Sequence, residues 1–302
     1  MSASPSTSKL TFGAIEAGGT KIICGIGDAE GSRETIRIPT SNPETCVSQI
    51  LAFFREGQQK YGPMEAVGLA TFGPVDLDPS SPTWGHITTT PKPGWQGADL
   101  RGMIAQGIGL RVEVDTDVNA AALAEAFVGA ARGSQSAAYI TVGTGIGVGL
   151  VSGGRTIIGR GHPEIGHILP RRHGAHDNFA GVCPFHGDCY EGLASGPAII
   201  AAWGGSLAEL PGDHPAWDAQ ADYLGQLCAS LILSVAPEHI VIGGGVMAYE
   251  HLLVAVRRET ARRLGGYASL WADPEILDAR ITAPGCIEPA GLVGAYLLAQ
   301  QG

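Results

Sequence analysis

The chain has 302 residues, of which 44% are hydrophobic, and a formal net charge of −10. It can therefore build one large domain or two of typical size, while its acidic balance argues against a nucleic-acid partner. No apolar run approaches the ~18 residues of a membrane span. The Ser/Thr/Pro-rich start, Met1 to Lys9, lacks the apolar core of a signal peptide. We expect a cytoplasmic protein without a membrane partner.

A weak internal repeat is the most informative pattern along the chain. Residues 12–27 and 138–151 each read as an apolar strand, a Gly/Thr turn and a second apolar strand, which is typical of a hairpin. Each copy is followed by an apolar run that ends in glycine, at residues 66–73 and 239–246. Two such halves predict a duplicated α/β unit.

Helical spacing of apolar residues fills the gaps between these strands. The predicted helices are Pro43–Lys60, Asn119–Arg132, Ala216–Val235, Tyr249–Leu264 and Ala290–Gln300. Residues 157–190 have little periodicity and hold five of the nine histidines, as functional segments often do. We predict a first lobe over residues 1–118 and a second over 119–288, with the last helix, 289–302, returning to the first lobe.

Three glycine turns follow predicted strands, at residues 17–21, 143–147 and 243–245. Adjacent glycines let the backbone approach an anion closely, and in the first turn Thr20 and Lys21 add donors. A single glycine-rich hairpin is most often only a turn. Three of them, divided between two similar halves, favour nucleotide binding between two lobes. Neither a Walker A motif nor a G-x-G-x-x-G fingerprint occurs in its required context.

A carboxylate segment stands where a strand meets an alanine-rich helix. Asp115 and Asp117 lie there in the run Val-Asp-Thr-Asp-Val-Asn. A carboxylate at this place could accept a proton from a reacting hydroxyl, or it could simply cap the helix. The residues alone leave both readings open.

A short Cys/His cluster predicts a metal site. Cys183, His186 and Cys189 have the spacing C-x₂-H-x₂-C, which lets three ligands wrap one tetrahedral ion and requires a fourth from elsewhere. The nearby candidates for that fourth ligand are His167, His173 and His176.

Together these segments resemble the ROK family of sugar kinases, and its zinc-containing fructokinase branch in particular. The resemblance runs from about Phe12 to Leu298. It implies an α/β protein with the actin-like ATPase (ribonuclease H-like) fold, two similar lobes and an interlobe cleft. It also implies ATP, Mg²⁺ and a structural Zn²⁺ as cofactors, and a homodimer.

The resemblance also assigns residues. Asp117 aligns with the catalytic aspartate, a general base, while Asp115 falls outside the matched position and Thr116 replaces the usual asparagine. The implied nucleotide contacts are Gly18, Gly19, Thr20, Lys21, Thr144, Gly145, Pro197, Gly243, Gly244 and Gly245. The implied sugar contacts are Gly73, Pro74, Asn119, Glu164, His167 and Glu191. The implied zinc ligands are His167, Cys183, His186 and Cys189.

Two further positions follow from the same resemblance. Lys92 stands where most ROK kinases have asparagine, so a sugar contact is expected to differ there, and Trp95 is expected to line the cleft.

The predicted reaction is ATP-dependent phosphorylation of fructose to fructose 6-phosphate. The alternatives are a kinase for mannose, glucose or another hexose, and a non-catalytic sugar-binding or regulatory ROK protein. ROK repressors carry an N-terminal helix-turn-helix module of several dozen residues. Here the first phosphate turn starts at residue 17, which leaves no room for one, so we expect an enzyme.

Overall fold

A computed structural model describes residues 10–90 and 92–301 and divides the chain into two units. Unit 1 holds the residues up to Ala121, together with Ile158–His162 and the end of the chain from Glu288. Unit 2 holds Ala122–Ile157 and Pro163–Ile287. The Ser/Thr/Pro-rich start, Met1 to Lys9, lies outside the described residues.

Within the described ranges, ten strands form two five-stranded sheets. The strands of unit 1 are β1 (Phe12–Ala17), β2 (Lys21–Asp28), β3 (Gly31–Pro39), β4 (Val67–Thr71) and β5 (Val112–Thr116). Those of unit 2 are β6 (Ser136–Val142), β7 (Ile146–Ser152), β8 (Arg155–Thr156), β9 (His239–Gly243) and β10 (Ile281–Thr282).

The two sheets have the same topology. Their strand orders are β3-β2-β1-β4-β5 and β8-β7-β6-β9-β10. In each sheet the first three strands of the unit are antiparallel neighbours. The fourth strand pairs in parallel with the first, and the fifth pairs in parallel with the fourth. The predicted duplication of an α/β unit is therefore confirmed.

Nine α-helices accompany the sheets in the described part of the chain. They are α1 (Pro43–Tyr61), α2 (Leu100–Ile108), α3 (Asp117–Phe127), α4 (Tyr190–Ala194), α5 (Gly196–Trp203), α6 (Pro215–Ser234), α7 (Glu250–Leu264), α8 (Pro274–Arg280) and α9 (Ala290–Gln301). Among the described residues, none of the helices combines the length and the apolar character that a membrane span requires.

The five predicted helices are present, and four of them agree with the structure to within one residue at each end. The exception is α3, which starts two residues early, at Asp117, and ends at Phe127 instead of Arg132. The buried Glu125 carboxylate accepts a hydrogen bond from the amide of Ala130 at 2.7 Å, so the chain turns there instead of continuing the helix. The helices that were not predicted have nine residues or fewer, too few turns for a clear apolar period.

The last helix, α9, packs directly on the sheet of unit 1, against β1 and β4. A Cβ at Gly68 of β4 would lie 1.7 Å from the carbonyl oxygen of Ala295, so the helix backbone touches the strand backbone. Only glycine leaves room for that approach.

Candidate active site and metal centre

The first two predicted phosphate turns occupy equivalent places in the two units. Each joins the first two strands of its unit, and each is closed by a short backbone bond: Gly18 N–H to the Lys21 carbonyl, and Gly143 N–H to the Gly145 carbonyl, both 2.9 Å. The third turn packs beside the second, because a Cβ at Gly244 would lie 2.3 Å from the carbonyl oxygen of Val142. Gly244 also has a φ of 95°, which L side chains rarely adopt.

One glycine in each turn has open space beside it. A Cβ built on Gly19, Gly143 or Gly245 meets no atom within 4 Å, and none of these residues has a positive φ. Neither packing nor backbone conformation therefore requires glycine at these places. The open space lets another molecule approach the backbone closely.

Lys92 reaches the first turn, where its ammonium donates to the carbonyl oxygen of Gly19. The same ammonium lies 6.0 Å from the centroid of the Phe72 ring. The lysine found at the usual asparagine position is thus placed beside the first predicted phosphate turn.

Trp95 lies elsewhere. Its side chain is fully buried in the core of unit 1 and its indole N–H donates to the carbonyl of Ser41 at 2.7 Å. The prediction that it lines a cleft is wrong, since indole burial and one satisfied hydrogen bond make it a core residue.

The junction of β5 and α3 distinguishes the two aspartates. Asp115 is 1% exposed, and its Oδ1 accepts from the amide of Thr116 and from Nδ2 of Asn119, both at 2.7 Å. Asp117 is half-buried, and its Oδ1 accepts from the amide of Val118 at 2.9 Å. Only Asp117 keeps a surface that a reactant can reach.

The helix-capping role falls to a third residue at this junction. Thr116 Oγ1 accepts from the amide of Asn119 at 3.1 Å, which is the N-cap geometry. The threonine found in place of the family's asparagine thus caps α3. Asn119, a predicted sugar contact, is 1% exposed, and its contact with sugar stays a prediction.

Gly73 and Pro74 form a half-buried turn of unit 1 that is joined by a cis peptide bond. The amide of Val75 donates to Nε2 of His162 at 3.1 Å. This contact places the short segment Ile158–His162 against the Gly73–Pro74 turn.

The predicted sugar-binding carboxylates of unit 2 lie near each other. Glu164 precedes a 3₁₀ turn, Ile165–His167, and Glu191 is the second residue of α4. Glu164 remains exposed to solvent. Its pKa is nevertheless raised to about 7, mainly by partial desolvation and to a smaller extent by the negative charge of Glu191. A carboxyl group that is partly protonated at neutral pH can both donate to and accept from a sugar hydroxyl.

Four side chains that could hold a metal ion meet in unit 2. One ligand atom from each of His167, Cys183, His186 and Cys189 lies within 4.8 Å of the others. The structure thus brings together the Cys/His cluster and the histidine of the Glu-x-Gly-His segment.

The spacing of these atoms fits a tetrahedral ion. Cys183 Sγ lies 3.6 Å from Nδ1 of both histidines, and Cys189 Sγ lies 3.5 Å from Nδ1 of His167. Zn–S and Zn–N bonds of about 2.3 and 2.1 Å at the tetrahedral angle place sulfur and nitrogen about 3.6 Å apart. Burial raises the pKa of the Cys189 thiol to about 11, and a bound dication would favour the thiolate instead.

The other two histidine candidates lie outside this group. Nδ1 of His173 accepts from the amide of Ala175 at 3.2 Å. Nδ1 of His176 lies 3.1 Å from the hydroxyl of Tyr223, in a ring cluster with Trp203 and Phe179.

Arg172 stabilises the loop that carries Cys183, His186 and Cys189, a role that was not predicted from the sequence. Its Nε donates to Asp188, between two of the candidate ligands, at 3.0 Å, and its Nη1 donates to the carbonyl of His176 at 2.9 Å. A guanidinium fork suits such a multiple contact.

Gln226, on α6, binds the backbone of Arg171, the residue just before Arg172. It accepts from the amide of Arg171 and donates to the carbonyl of Arg171, both at 2.9 Å, and also donates to Asp222 at 2.9 Å. Two polar residues one helical turn apart in the buried part of α6 are the signal that could have found this contact.

Comparisons with known proteins identify the family of this chain. A family model described as the ROK family matches residues 12–302. The chain belongs to the ROK family. A fructokinase from Zymomonas mobilis is 43% identical over 295 residues, covering 96% of this chain and 97% of that protein.

Two solved ROK structures have the same fold. A ROK hexokinase from Thermus thermophilus has a TM-score of 0.77 at 29% identity and covers 96% of this chain and 98% of its own. A ROK family glucokinase from Streptomyces griseus, in complex with glucose and AMPPNP, has a TM-score of 0.74 at 28% identity, with 97% and 100% covered. The predicted actin-like ATPase fold with two similar lobes is confirmed.

Proposed function

We propose that this ROK protein transfers the γ-phosphoryl group of ATP to the 6-hydroxyl of fructose and releases ADP and fructose 6-phosphate. The observation that carries the choice of sugar is the full-length similarity to a fructokinase at 43% identity. Glucose is the second candidate, because the glucokinase that was solved with glucose bound has a lower identity to this chain, 28%. Mannose is a further candidate on the same fold.

Asp117 is the proposed general base. It stands at the first residue of α3, where one oxygen accepts from Val118 and the side chain keeps solvent access. There the carboxylate would accept the proton of the sugar hydroxyl as that oxygen attacks the γ-phosphorus. The burial of Asp115 and its two hydrogen-bond donors support the choice of Asp117 over Asp115 for this role.

The three glycine turns are the proposed nucleotide contacts. The open space at Gly19, Gly143 and Gly245 supports close approach of the phosphates and of adenosine to backbone N–H groups. Mg²⁺ enters with ATP and offsets phosphate charge. The remaining proposed contacts on the turns are Gly18, Thr20, Lys21, Thr144, Gly145, Gly243 and Gly244, with Pro197 at the start of α5.

The proposed sugar contacts of unit 2 are Glu164, His167 and Glu191, and those of unit 1 are Gly73, Pro74 and Asn119. The four-residue cluster would hold Zn²⁺ in a structural role. Because His167 would bind the ion through Nδ1, its ring would be fixed in one tautomer and orientation beside Glu164. A cytoplasmic homodimer is the accompanying expectation.

Measuring ADP release from ATP–Mg²⁺ with fructose, mannose, glucose and N-acetylmannosamine in parallel tests the proposal. Preference for fructose, with a product phosphorylated at carbon 6, is the expected result. Preference for another sugar would replace the substrate but retain the kinase. No turnover with any of the four would favour a sugar-binding protein without chemistry.

A further inference from the structure

The helix α4 connects the metal-binding cluster with the second phosphate turn. Cys189 caps this helix, since its Sγ accepts from the amide of Gly192 at 3.4 Å. After the helix, the amide of Gly196 donates to the carbonyl of Gly143, the first residue of the turn, at 2.7 Å. The segment from Cys189 to Gly196 is therefore held at both ends.

Glu191 makes the closest contact between this helix and the turn. Its Oε2 accepts from the backbone amide of Ile146, the residue at which the turn enters β7, at 3.1 Å. A Cβ on Gly145 would lie 2.5 Å from the same oxygen. The carboxylate therefore rests against the turn, and glycine at position 145 makes the room for it.

The predicted sugar-binding segment around Gly166 also contacts this turn. A Cβ on Gly166 would lie 1.8 Å from the carbonyl oxygen of Ile146, so the Glu-x-Gly-His segment packs backbone to backbone on that residue. The peptide groups at Ile146 thus contact both predicted sugar-binding segments. A displacement of either segment would be transmitted to the turn.

We propose that Glu191 is a positioning residue that holds the Thr144–Ile146 turn in its nucleotide-binding conformation, so that one carboxylate links sugar binding to nucleotide binding. The inference rests on the proposed kinase function, because it takes this turn as a nucleotide contact. A sugar hydroxyl that donates to the other Glu191 oxygen would fix the side chain and, through it, the turn. Nucleotide affinity should therefore rise when fructose is bound.

The test measures binding of AMPPNP–Mg²⁺ by calorimetry, with and without fructose, instead of turnover. Glu191→Ala removes the acceptor and is expected to weaken nucleotide binding about five- to tenfold in the absence of sugar. Glu191→Gln keeps an oxygen acceptor and is expected to retain most of the affinity. Glu275→Ala is the control: it removes an exposed carboxylate of α8 that lies outside the proposed sugar and nucleotide contacts, and it should leave sugar-free nucleotide binding as in the parent.

Zinc content and melting temperature are measured for each variant, because Glu191 lies two residues from Cys189. If Glu191→Ala loses zinc or does not fold, Glu191→Asp, whose shorter side chain cannot span the same distance, replaces it with the same expectation. A residue that only touches sugar would leave sugar-free nucleotide affinity unchanged in these variants, and that result would overturn the inference while leaving the kinase intact. A parent protein that binds no nucleotide would instead overturn the proposed function and this inference with it.

Discussion

Asn119, the third residue of the helix that Asp117 begins, donates its side-chain amide to Asp115 at 2.7 Å. Asp115 thereby serves the local fold, because its carboxylate satisfies two buried donors. Asp117, two residues later, keeps its access to solvent. Two aspartates that are equivalent by residue type have different environments.

The matched substitutions Asp115→Asn and Asp117→Asn should separate these roles. Asp117→Asn is expected to lower kcat by a factor of about 10² or more, the usual contribution of a general base, with little change in melting temperature. Asp115→Asn is expected to lower the free energy of unfolding by about 1–3 kcal/mol, because it disturbs a buried hydrogen-bond network. Steady-state kinetics and thermal unfolding on both variants check this, and normal turnover of Asp117→Asn would remove it from the mechanism.

Alanine at the open glycines should affect nucleotide binding but not stability. Gly19→Ala and Gly143→Ala add a methyl group where no protein atom lies within 4 Å, so melting temperature should stay near that of the parent. The methyl group would obstruct a phosphate close to the backbone, and we expect KM for ATP to rise about tenfold, or ~1.4 kcal/mol.

Gly212→Ala is the control for the turn variants. Gly212 is exposed, has open space beside it and lies outside the three turns. The melting temperature and the KM for ATP of Gly212→Ala should therefore both stay unchanged. A normal KM for ATP in Gly19→Ala and Gly143→Ala would show that these turns do not contact phosphate.

Metal removal should weaken the fold of unit 2. Chelation of zinc is expected to lower the melting temperature, because the four side chains would lose the ion that holds them together. His186→Ala should reduce zinc affinity strongly, whereas His186→Cys offers another zinc ligand at the same position and should retain the ion. Zinc content by atomic spectroscopy and thermal unfolding measure both effects; a chelated protein with an unchanged melting temperature would contradict the structural role.

His176 should make the protein less stable in acid. The pKa of His176 is lowered from 6.5 to about 4, mainly by burial and to a smaller extent by the charges of His173 and Arg172. Between these two pH values the unfolded chain binds more protons than the folded one, so the free energy of unfolding falls as pH falls through this window, by at most about 3 kcal/mol.

His176→Phe removes this titration and should flatten the stability profile between pH 6.5 and 4. The Tyr223 hydroxyl keeps its bond from the amide of His173, so stability at neutral pH should change little. Denaturant unfolding at several pH values measures the slope, and the same slope in parent and variant would assign the acid sensitivity to another group.

The sequence by itself determined the features that local patterns encode. Apolar runs that end in glycine, repeated in two halves, predicted a duplicated α/β unit, because strand and turn preferences act over a few residues. The spacing of Cys183, His186 and Cys189 predicted a metal site, since a seven-residue loop is enough to bring three ligands together.

The tertiary structure decided the features that depend on packing between distant segments. Sequence spacing could not separate Asp115 from Asp117, because burial by the rest of unit 1 makes the difference. The prediction for Trp95 failed because its partner, the carbonyl of Ser41, lies 54 residues away. Likewise the hydrogen bond from Ile146 to Glu191 spans 45 residues. Such contacts form only when folded elements pack together, because burial and shape complementarity, not local backbone preference, determine the free energy of packing.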